Sequence, residues 1–404
     1  MAFEEADEHN GIPVSDIAVE GDPKLSFAPP FRRFAIAVRR RDTSALRVIV
    51  FDIHEENAAL KRLDSAEANS PIIKIAISRV FIDAPESFFV TAAVTANRAI
   101  KLYGWQVAAN GRIGGRWVQD TGFRGDDVAI FSDIDRHVLA VRQGSNVALT
   151  LWTIRSQGAQ RTAGSTLVRN VQVLRSLNGK SPNLALAFTR HDSTFRLQRY
   201  FRSDTGIFQP GGAGAGGKVS FAHARADHLG DPVGGVSRQR TLSVAANLGP
   251  TAVRTGVFGG GRLMVGAGTL KLIVWQKPVG NQFDERPLER SAEVKLKGWF
   301  GIAFEAQVGL VGGGSNIVTV QKGVSTYKKF FASDRGKPLI RIIHWENRHH
   351  PESGNFGSLE RQGHIDIPGK FSHLRLIDGF QRVFVVALSR SDGRLILKSF
   401  RSQE

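Results

Sequence analysis

The stretch Thr269–Lys277, TLKLIVWQK, is short and apolar and ends its apolar run on an aromatic residue, which is typical of a half-buried β-strand. The same order of residue types (apolar, any, apolar, any, any, aromatic) recurs along the chain. The matches are Leu46–Phe51, Ile100–Trp105, Val147–Trp152, Phe195–Tyr200, Leu270–Trp275, Ile340–Trp345 and Leu395–Phe400. A strand that recurs through a whole chain indicates a repeat architecture.

The spacing of these aromatic residues predicts the size of the repeat. Successive steps are 54, 47, 48, 75, 70 and 55 residues. A four-stranded propeller blade takes roughly 40–50 residues, so each short step fits one blade, and each long step fits a blade with about 20–25 additional residues. The spacing therefore predicts a single β-propeller domain over residues 1–404, with insertions around 205–250 and 322–338.

A second apolar run and a short polar turn precede the motif in most repeats, which is the signature of a β-hairpin. The five clearest cases are FAIAVRRRDTSALRVIVF, FFVTAAVTANRAIKLYGW, HVLAVRQGSNVALTLW, LALAFTRHDSTFRLQRY and VFVVALSRSDGRLILKSF. We predict an all-β, seven-bladed β-propeller in which each hairpin supplies the middle two strands of a four-stranded blade. Residues 55–68 contain helix formers, but they fit a long connection and an outer strand equally well.

The two ends of the chain predict how the ring closes. The last motif ends four residues before the C-terminus, so the final blade needs an outer strand from elsewhere. The residues before the first hairpin, PVSDIAVEG and then KLSFAPP, have room for that outer strand and for the innermost strand of the first blade. Such a closure would pair two sheet edges that are otherwise open.

The sequence resembles bacterial β-propeller repeat proteins whose blades carry an LKLIVW-type strand followed by a polar, glycine-containing turn, here Gln106–Arg112. The matching residues, such as Leu270, Leu272 and Trp275, are positions that pack blades together. The resemblance therefore implies the fold and no particular activity. Propeller lectins of the tectonin group are similar in blade count, but their repeated Trp-rich sugar pockets are not evident in this chain.

Composition favours an anionic partner. The formal charge is +17, which attracts acidic glycans, nucleic acid, lipid surfaces or small acids. The chain has no cysteine, which excludes disulfides and thiolate metal sites, and it has no apolar run long enough to span a bilayer. The residues do not fix the compartment; an extracellular or periplasmic location is favoured over the cytoplasm.

The hairpin turns supply the candidate binding residues, since these turns are expected to share one face with the connections between blades, where the central channel opens. On closure of the ring, the turns of blades six, seven and one would be neighbours. We expect a cationic and aromatic surface made of Arg39, Arg40, Arg41, Tyr327, Lys328, Lys329, Arg335, Lys337, Arg390 and Arg394. Arginine suits carboxylate or sulfate through paired hydrogen bonds, and aromatic rings give stacking platforms. The alternative is that these cations only keep exposed turns soluble.

A second hypothesis is a hydrolase or lyase with a His/Asp site at the channel mouth. Its candidates are His191, in a hairpin turn, and Asp227, His228 and Asp231, in the first predicted insertion with His223. Imidazole and carboxylate could serve acid–base chemistry or bind a divalent metal. A polar loop with satisfied histidines explains the same pattern.

Other apparent motifs carry less weight. Gly212–Lys218 approaches a phosphate-binding loop, but Val219 stands where Ser or Thr is required, so a flexible insertion is the simpler interpretation. The group His344, Glu346, His349 and His350 is interpreted as a solvated loop after the third strand of its blade. No cofactor is predicted, and nucleic-acid binding lacks a recognisable reading helix or stacking motif. The favoured function is a ligand-binding propeller for an acidic glycan or a small acidic ligand.

Overall fold

The computed structural model describes residues 3–22, 31–80, 87–133, 136–180, 183–203, 205, 207–218, 221–229, 240–252, 265–276, 289–296, 302–311, 316–324, 337–349, 356–378 and 382–402. All the secondary-structure elements in these ranges are β-strands.

The first half of the chain contains strands β1 to β15. Their bounds are β1 Phe3–Asp22, β2 Phe31–Arg40, β3 Ala45–His54, β4 Leu60–Val80, β5 Ser87–Thr95, β6 Ala99–Val107, β7 Ile113–Arg124, β8 Asp127–Asp133, β9 Arg136–Gln143, β10 Asn146–Arg155, β11 Gly158–Arg169, β12 Val173–Lys180, β13 Asn183–Thr189, β14 Thr194–Arg202 and β15 Phe208–Lys218.

The second half contains β16 to β26. Their bounds are β16 Phe221–Leu229, β17 Arg240–Ala252, β18 Val265–Gln276, β19 Glu289–Leu296, β20 Ile302–Val311, β21 Asn316–Val324, β22 Pro338–His349, β23 Phe356–Pro368, β24 Phe371–Ile377, β25 Val383–Arg390 and β26 Arg394–Ser402.

The strands form sheets of ten, four, four and eight strands, and within these sheets we name seven antiparallel sets of four A to G; in addition, Gly268 of β18 pairs with Ala303 of β20. Group A is residues 14–22 of β1, then β2, β3 and residues 60–71 of β4. Group B is residues 72–80 of β4, then β5, β6 and β7. Groups C, D, E and F are β8–β11, β12–β15, β16–β19 and β20–β23. Group G is β24, β25, β26 and residues 3–13 of β1.

Strands β1 and β4 each serve two groups, and both change partner at a proline. Pro13 pairs with Arg394 of β26, whereas Val14 pairs with Arg40 of β2. Pro71 is the last residue of β4 to pair with β3, and Ile72 begins the pairing with β5. Proline has no N–H to give to a ladder, so it is tolerated where pairing is interrupted.

The hairpins and motif strands predicted from the sequence are confirmed. The five quoted hairpins are β2–β3, β5–β6, β9–β10, β13–β14 and β25–β26, and each is the middle pair of its group. Each motif strand pairs on both sides, and its terminal aromatic is buried. These aromatics are Phe51, Trp105, Trp152, Tyr200, Trp275, Trp345 and Phe400. Residues 60–68 are strand, which decides the question left open for residues 55–68.

Three expectations were wrong in detail. The strand that pairs with β26 is residues 3–13, not PVSDIAVEG, because the acidic start forms ion pairs with β26, such as Glu8 with Lys398 at 2.5 Å. Gly212–Lys218 lies in β15 and pairs with β14, since ladder hydrogen bonds need only backbone. His344 lies inside β22 and is buried, donating from Nε2 to Oδ1 of Asn316 at 2.8 Å. Residues 23–30, which include KLSFAPP, lie outside the described ranges, as does His350.

The core lies between the groups. Each cluster of buried apolar side chains is shared by two groups that follow one another, and one cluster joins G to A, with Val385 and Leu397 of G against Ile36 and Phe51 of A. The first strands contact each other in the order β1, β4, β8, β12, β16, β20 and β24, and β24 contacts β1. The middle strands are therefore covered on both faces, which explains why every residue of β5 is buried.

Candidate functional site

The first strands of the groups surround a cavity of about 530 Å³. Its lining comes from β1, β4, β8, β12, β16, β20, β24 and Arg39 of β2, together with Asp378, which follows β24. Cavities that hold small molecules measure roughly 300–1,000 Å³, so the volume suits a small ligand or the end of a longer one.

The cavity reaches the end of the sheets that carries the hairpin turns, and it also extends along the first strands as far as Asp378, which follows β24. Ser15, Lys74, Asp127 and Arg175 line it, and each lies within the first three residues that its strand contributes to its group. The same end holds the turns, because the N–H of Asp126 donates to Arg142 O at 2.9 Å, next to the turn between β9 and β10. Part of the cavity lining therefore lies at the same end of the sheets as the hairpin turns.

Lys74 of β4, Asp127 of β8 and Arg175 of β12 make up what we call the basic sector of this cavity. Burial raises the pKa of Asp127, and the Lys74 charge is the largest effect opposing it. Burial lowers the pKa of Arg175, with the Asp127 charge opposing the shift. Asp127 is thus within electrostatic reach of both Lys74 and Arg175.

The Lys74 side chain is exposed in the cavity. Within the described ranges it forms neither an ion pair nor a hydrogen bond. Asp127 accepts one hydrogen bond at Oδ1, from the N–H of Val128 at 3.0 Å. Arg142 pairs with Asp126 at 2.9 Å and stays 4.0 Å from Oδ2 of Asp127. The Lys74 ammonium is therefore available to a ligand.

We call the opposite side of the cavity the paired sector, because its charged side chains Asp16, Glu305 and Arg375 form ion pairs. Arg375 of β24 lies 3.5 Å from Asp16 and 3.4 Å from Glu305, and Lys322 lies 2.8 Å from Glu305. Burial lowers the pKa of His373 beside them, with the Asp16 charge opposing the shift. Each of these four charged groups therefore has an opposite charge within 3.5 Å.

Two residues of the cavity lining accept hydrogen bonds from backbone N–H groups. Nδ1 of His223 accepts the N–H of Val308 at 3.1 Å, and Oδ2 of Asp378 accepts the N–H of Leu310 at 2.7 Å. Both bonds reach the neighbouring strand β20 from β16 or from the end of β24. These side chains therefore join adjacent first strands.

Of the predicted cationic residues, Arg39 lines the cavity. Its guanidinium donates to Oγ of Ser15 at 2.7 Å, to Ser15 O at 3.3 Å and to Ile73 O at 3.3 Å. These bonds tie β1 to β4 beside Lys74. Arg39 is thus placed at the site, with most of its donors already used.

The other predicted cations lie on the turns. Arg40 is paired with Asp42 and Glu67, and these hydrogen bonds raise its pKa. Arg41 donates to Asp392 O at 2.6 Å, which brings the turns of groups A and G together. Arg390 lies 4.0 Å from Glu8, and Arg394 and Lys337 are exposed. Tyr327, Lys328, Lys329 and Arg335 lie outside the described residues.

The predicted catalytic residues are not brought together in the described part of the chain. His191 is exposed in the turn between β13 and β14, at the turn end of group D. Asp227 and His228 lie in β16, not in an insertion, and pair with Leu242 and Thr241 at the end of group E opposite its β17–β18 turn. Asp231 lies outside the described residues. The described residues hold no group of three His, Asp or Glu side chains able to bind a metal.

Sequence reasoning missed Lys74, Asp127, Arg175 and Arg375, because it searched turns and histidines. A usable signal was present: single charges interrupt apolar runs in first strands, as in IIKIAI, VLRSL and HLRLI. A charged side chain in a first strand is a candidate for lining the space between the groups, since the sheet faces are packed.

In the part of the chain that the structure describes, no helix has the length and hydrophobicity needed to cross a bilayer.

One known structure with a similar chain path supports the fold class. The crystal structure of the WD40 domain of Toxoplasma gondii coronin gives a TM-score of 0.51 at 11% identity, over 100% of this chain and 87% of that one. The WD40 domain of SCAP from fission yeast gives 0.48 at 7% identity, over 99% and 98%. No family model and no curated protein matches the sequence. The chain has a β-propeller fold.

Proposed function

We propose that the chain is one seven-bladed β-propeller over residues 1–404, with groups A to G as its blades. The ring would close where residues 3–13 of β1 complete the last blade beside β26. Support comes from the first strands, which contact each other in sequence with β24 returning to β1. The core cluster between groups G and A supports the same arrangement.

We propose that this propeller is a binding module that takes an anionic ligand, such as the end of an acidic glycan, in the central cavity. The observation that carries the proposal is Lys74, an exposed ammonium that lines the cavity and has no ion pair or hydrogen bond within the described residues. Arg175 adds a second cation, of the type that binds carboxylate through paired hydrogen bonds. The charged side chains of the paired sector already form ion pairs.

The turn cations would extend this site outward. Arg41, Arg390 and Arg394 lie on neighbouring turns at the cavity end of the sheets, and they would attract the rest of an acidic polymer. Arg40 contributes less, since Asp42 and Glu67 already balance its charge.

The test is calorimetric titration of the full chain with oligogalacturonate and, in parallel, with a neutral maltooligosaccharide. We expect binding of the acidic oligomer, weakened at least about tenfold by Lys74→Glu through charge repulsion. The matched control is Lys61→Glu, an exposed cation on the outer strand of group A, at the end away from the hairpin turns, that should leave affinity unchanged. Equal effects of the two variants, or no binding of the acidic oligomer, would reject the proposal.

A further inference from the structure

The basic sector contains a carboxylate as well as cations, and this mixture restricts the ligand further. Lys74 and Arg175 offer charged donors, while Asp127 offers an acceptor in the same part of the cavity. A ligand that only carries negative charge would be repelled by Asp127. A ligand that carries both one negative charge and an adjacent hydroxyl would satisfy all three side chains.

The acceptor capacity of Asp127 is largely unused within the described residues. An ionised carboxylate has about four acceptor sites, and the N–H of Val128 takes one of them. Arg142 is directed mainly to Asp126, at 2.9 Å against 4.0 Å for Asp127. A hydroxyl donated by a ligand can therefore reach the Asp127 carboxylate without displacing an existing hydrogen bond.

Sulfate does not meet the requirement set by Asp127. Its oxygens at neutral pH only accept hydrogen bonds, so a sulfate oxygen placed against the Asp127 carboxylate would face a second acceptor with no proton between them. A carboxylate with an adjacent hydroxyl avoids that contact, because the hydroxyl donates to Asp127.

Building on the proposed function, we propose that the cavity selects a hydroxylated monocarboxylate, such as a uronic acid, over sulfate. The carboxylate binds Lys74 and Arg175, and a neighbouring ring hydroxyl donates to Asp127. Asp127 is thus the residue that determines specificity. A sugar ring is rigid and holds its carboxylate and hydroxyl close together. A single uronic acid can therefore bind the two cations and donate to Asp127 at the same time.

The experiment compares four probes on the full chain by calorimetry at neutral pH: D-glucuronate, D-glucose, acetate and inorganic sulfate. We expect glucuronate to bind about tenfold or more tightly than each of the others, since glucose lacks the charge, and acetate and sulfate lack a hydroxyl that can donate to Asp127. Asp127→Asn should weaken glucuronate and strengthen sulfate, so that the preference reverses. Asp127→Ser, with far-UV circular dichroism to verify folding, serves as the second variant.

The outcomes separate the two proposals. If the wild-type chain binds glucuronate and sulfate equally well, and neither Asp127 variant changes their ratio, the specificity inference is wrong while anion binding stands. If the wild-type chain binds no anionic probe and no oligogalacturonate, the proposed function itself fails, and this inference fails with it. A wild-type preference for sulfate overturns the inference without any need for a folded variant.

Discussion

The indole Nε1 of Trp345 donates a hydrogen bond of 2.9 Å to Oγ1 of Thr319, both fully buried on adjacent strands. Trp105 and Thr91 repeat this relationship at 3.0 Å. In both pairs the threonine lies two residues beyond the residue directly opposite the tryptophan, which is Ile317 in one case and Phe89 in the other. A large aromatic can thus close the core between two sheets without leaving its N–H unsatisfied.

We expect Thr319→Val to lower the free energy of unfolding by about 1–3 kcal/mol, because the buried indole N–H loses its acceptor. The measurement is urea-induced unfolding followed by tryptophan fluorescence. Thr319→Ser is the matched control, since it keeps the hydroxyl and removes only a methyl group. A Val variant as stable as the wild type would show that the hydrogen bond contributes nothing.

Gly104 is required by the indole of Trp117. A Cβ at position 104 would lie 2.2 Å from Cε2 of that ring, far inside contact distance. We expect Gly104→Ala to destabilise the chain by about 1–3 kcal/mol or more, since the ring must leave its place in the core. Gly114→Ala in β7 is the control, because no atom lies within 4 Å of its Cβ. Similar melting temperatures for the two variants would contradict this.

The motif strands could be predicted because the aromatic positions face the core and recur with blade spacing. Trp275 and Trp345 are buried as the pattern implies. The cavity could not be predicted in the same way. Lys74 and Asp127 are 53 residues apart in sequence and meet because β4 and β8 are neighbouring first strands. The sequence prediction assigned the pairing with β26 to PVSDIAVEG and not to residues 3–13, because EEADEHNG has few apolar residues and is held to β26 by ion pairs.

The closure of the ring can be tested by a covalent link. Glu8 and Lys398 are opposite each other in the β1–β26 ladder, at a separation suited to a disulfide. Because the chain has no other cysteine, Glu8→Cys with Lys398→Cys should form one intramolecular disulfide. We expect Tm to rise by about 3 °C or more relative to the same variant with reductant, since the link constrains nearly the whole unfolded chain.

The single variants Glu8→Cys and Lys398→Cys control for the lost ion pair, and neither should respond to reductant as a monomer. Non-reducing electrophoresis measures the crosslink. If the double variant forms only intermolecular disulfides, the two terminal strands are not neighbours, and the closed ring must be abandoned.

Buried His137 should make stability fall as the solution becomes acidic. Its Nε2 donates to Arg79 O at 2.9 Å, and within the described residues its Nδ1 has no hydrogen-bond partner. Burial lowers the pKa of His137 to about 4, against 6.5 for an exposed histidine. In the unfolded chain this histidine therefore binds a proton below pH 6.5, whereas in the folded chain it binds that proton only below about pH 4.

His137 therefore has no effect on the pH dependence of the free energy of unfolding above pH 6.5, and it lowers that free energy by up to roughly 3 kcal/mol as the pH falls to about 4. Urea unfolding at several pH values should show that loss in the wild type. In His137→Gln, which keeps a donor for Arg79 O but does not titrate, the slope should be smaller. Two sets of groups contribute to what remains: His9, His364 and His373, whose pKa values burial also lowers, and Glu8, Asp42 and Asp192, whose pKa values hydrogen bonds lower. An NMR titration that gives His137 an ordinary pKa would show that the proton reaches it in the folded state.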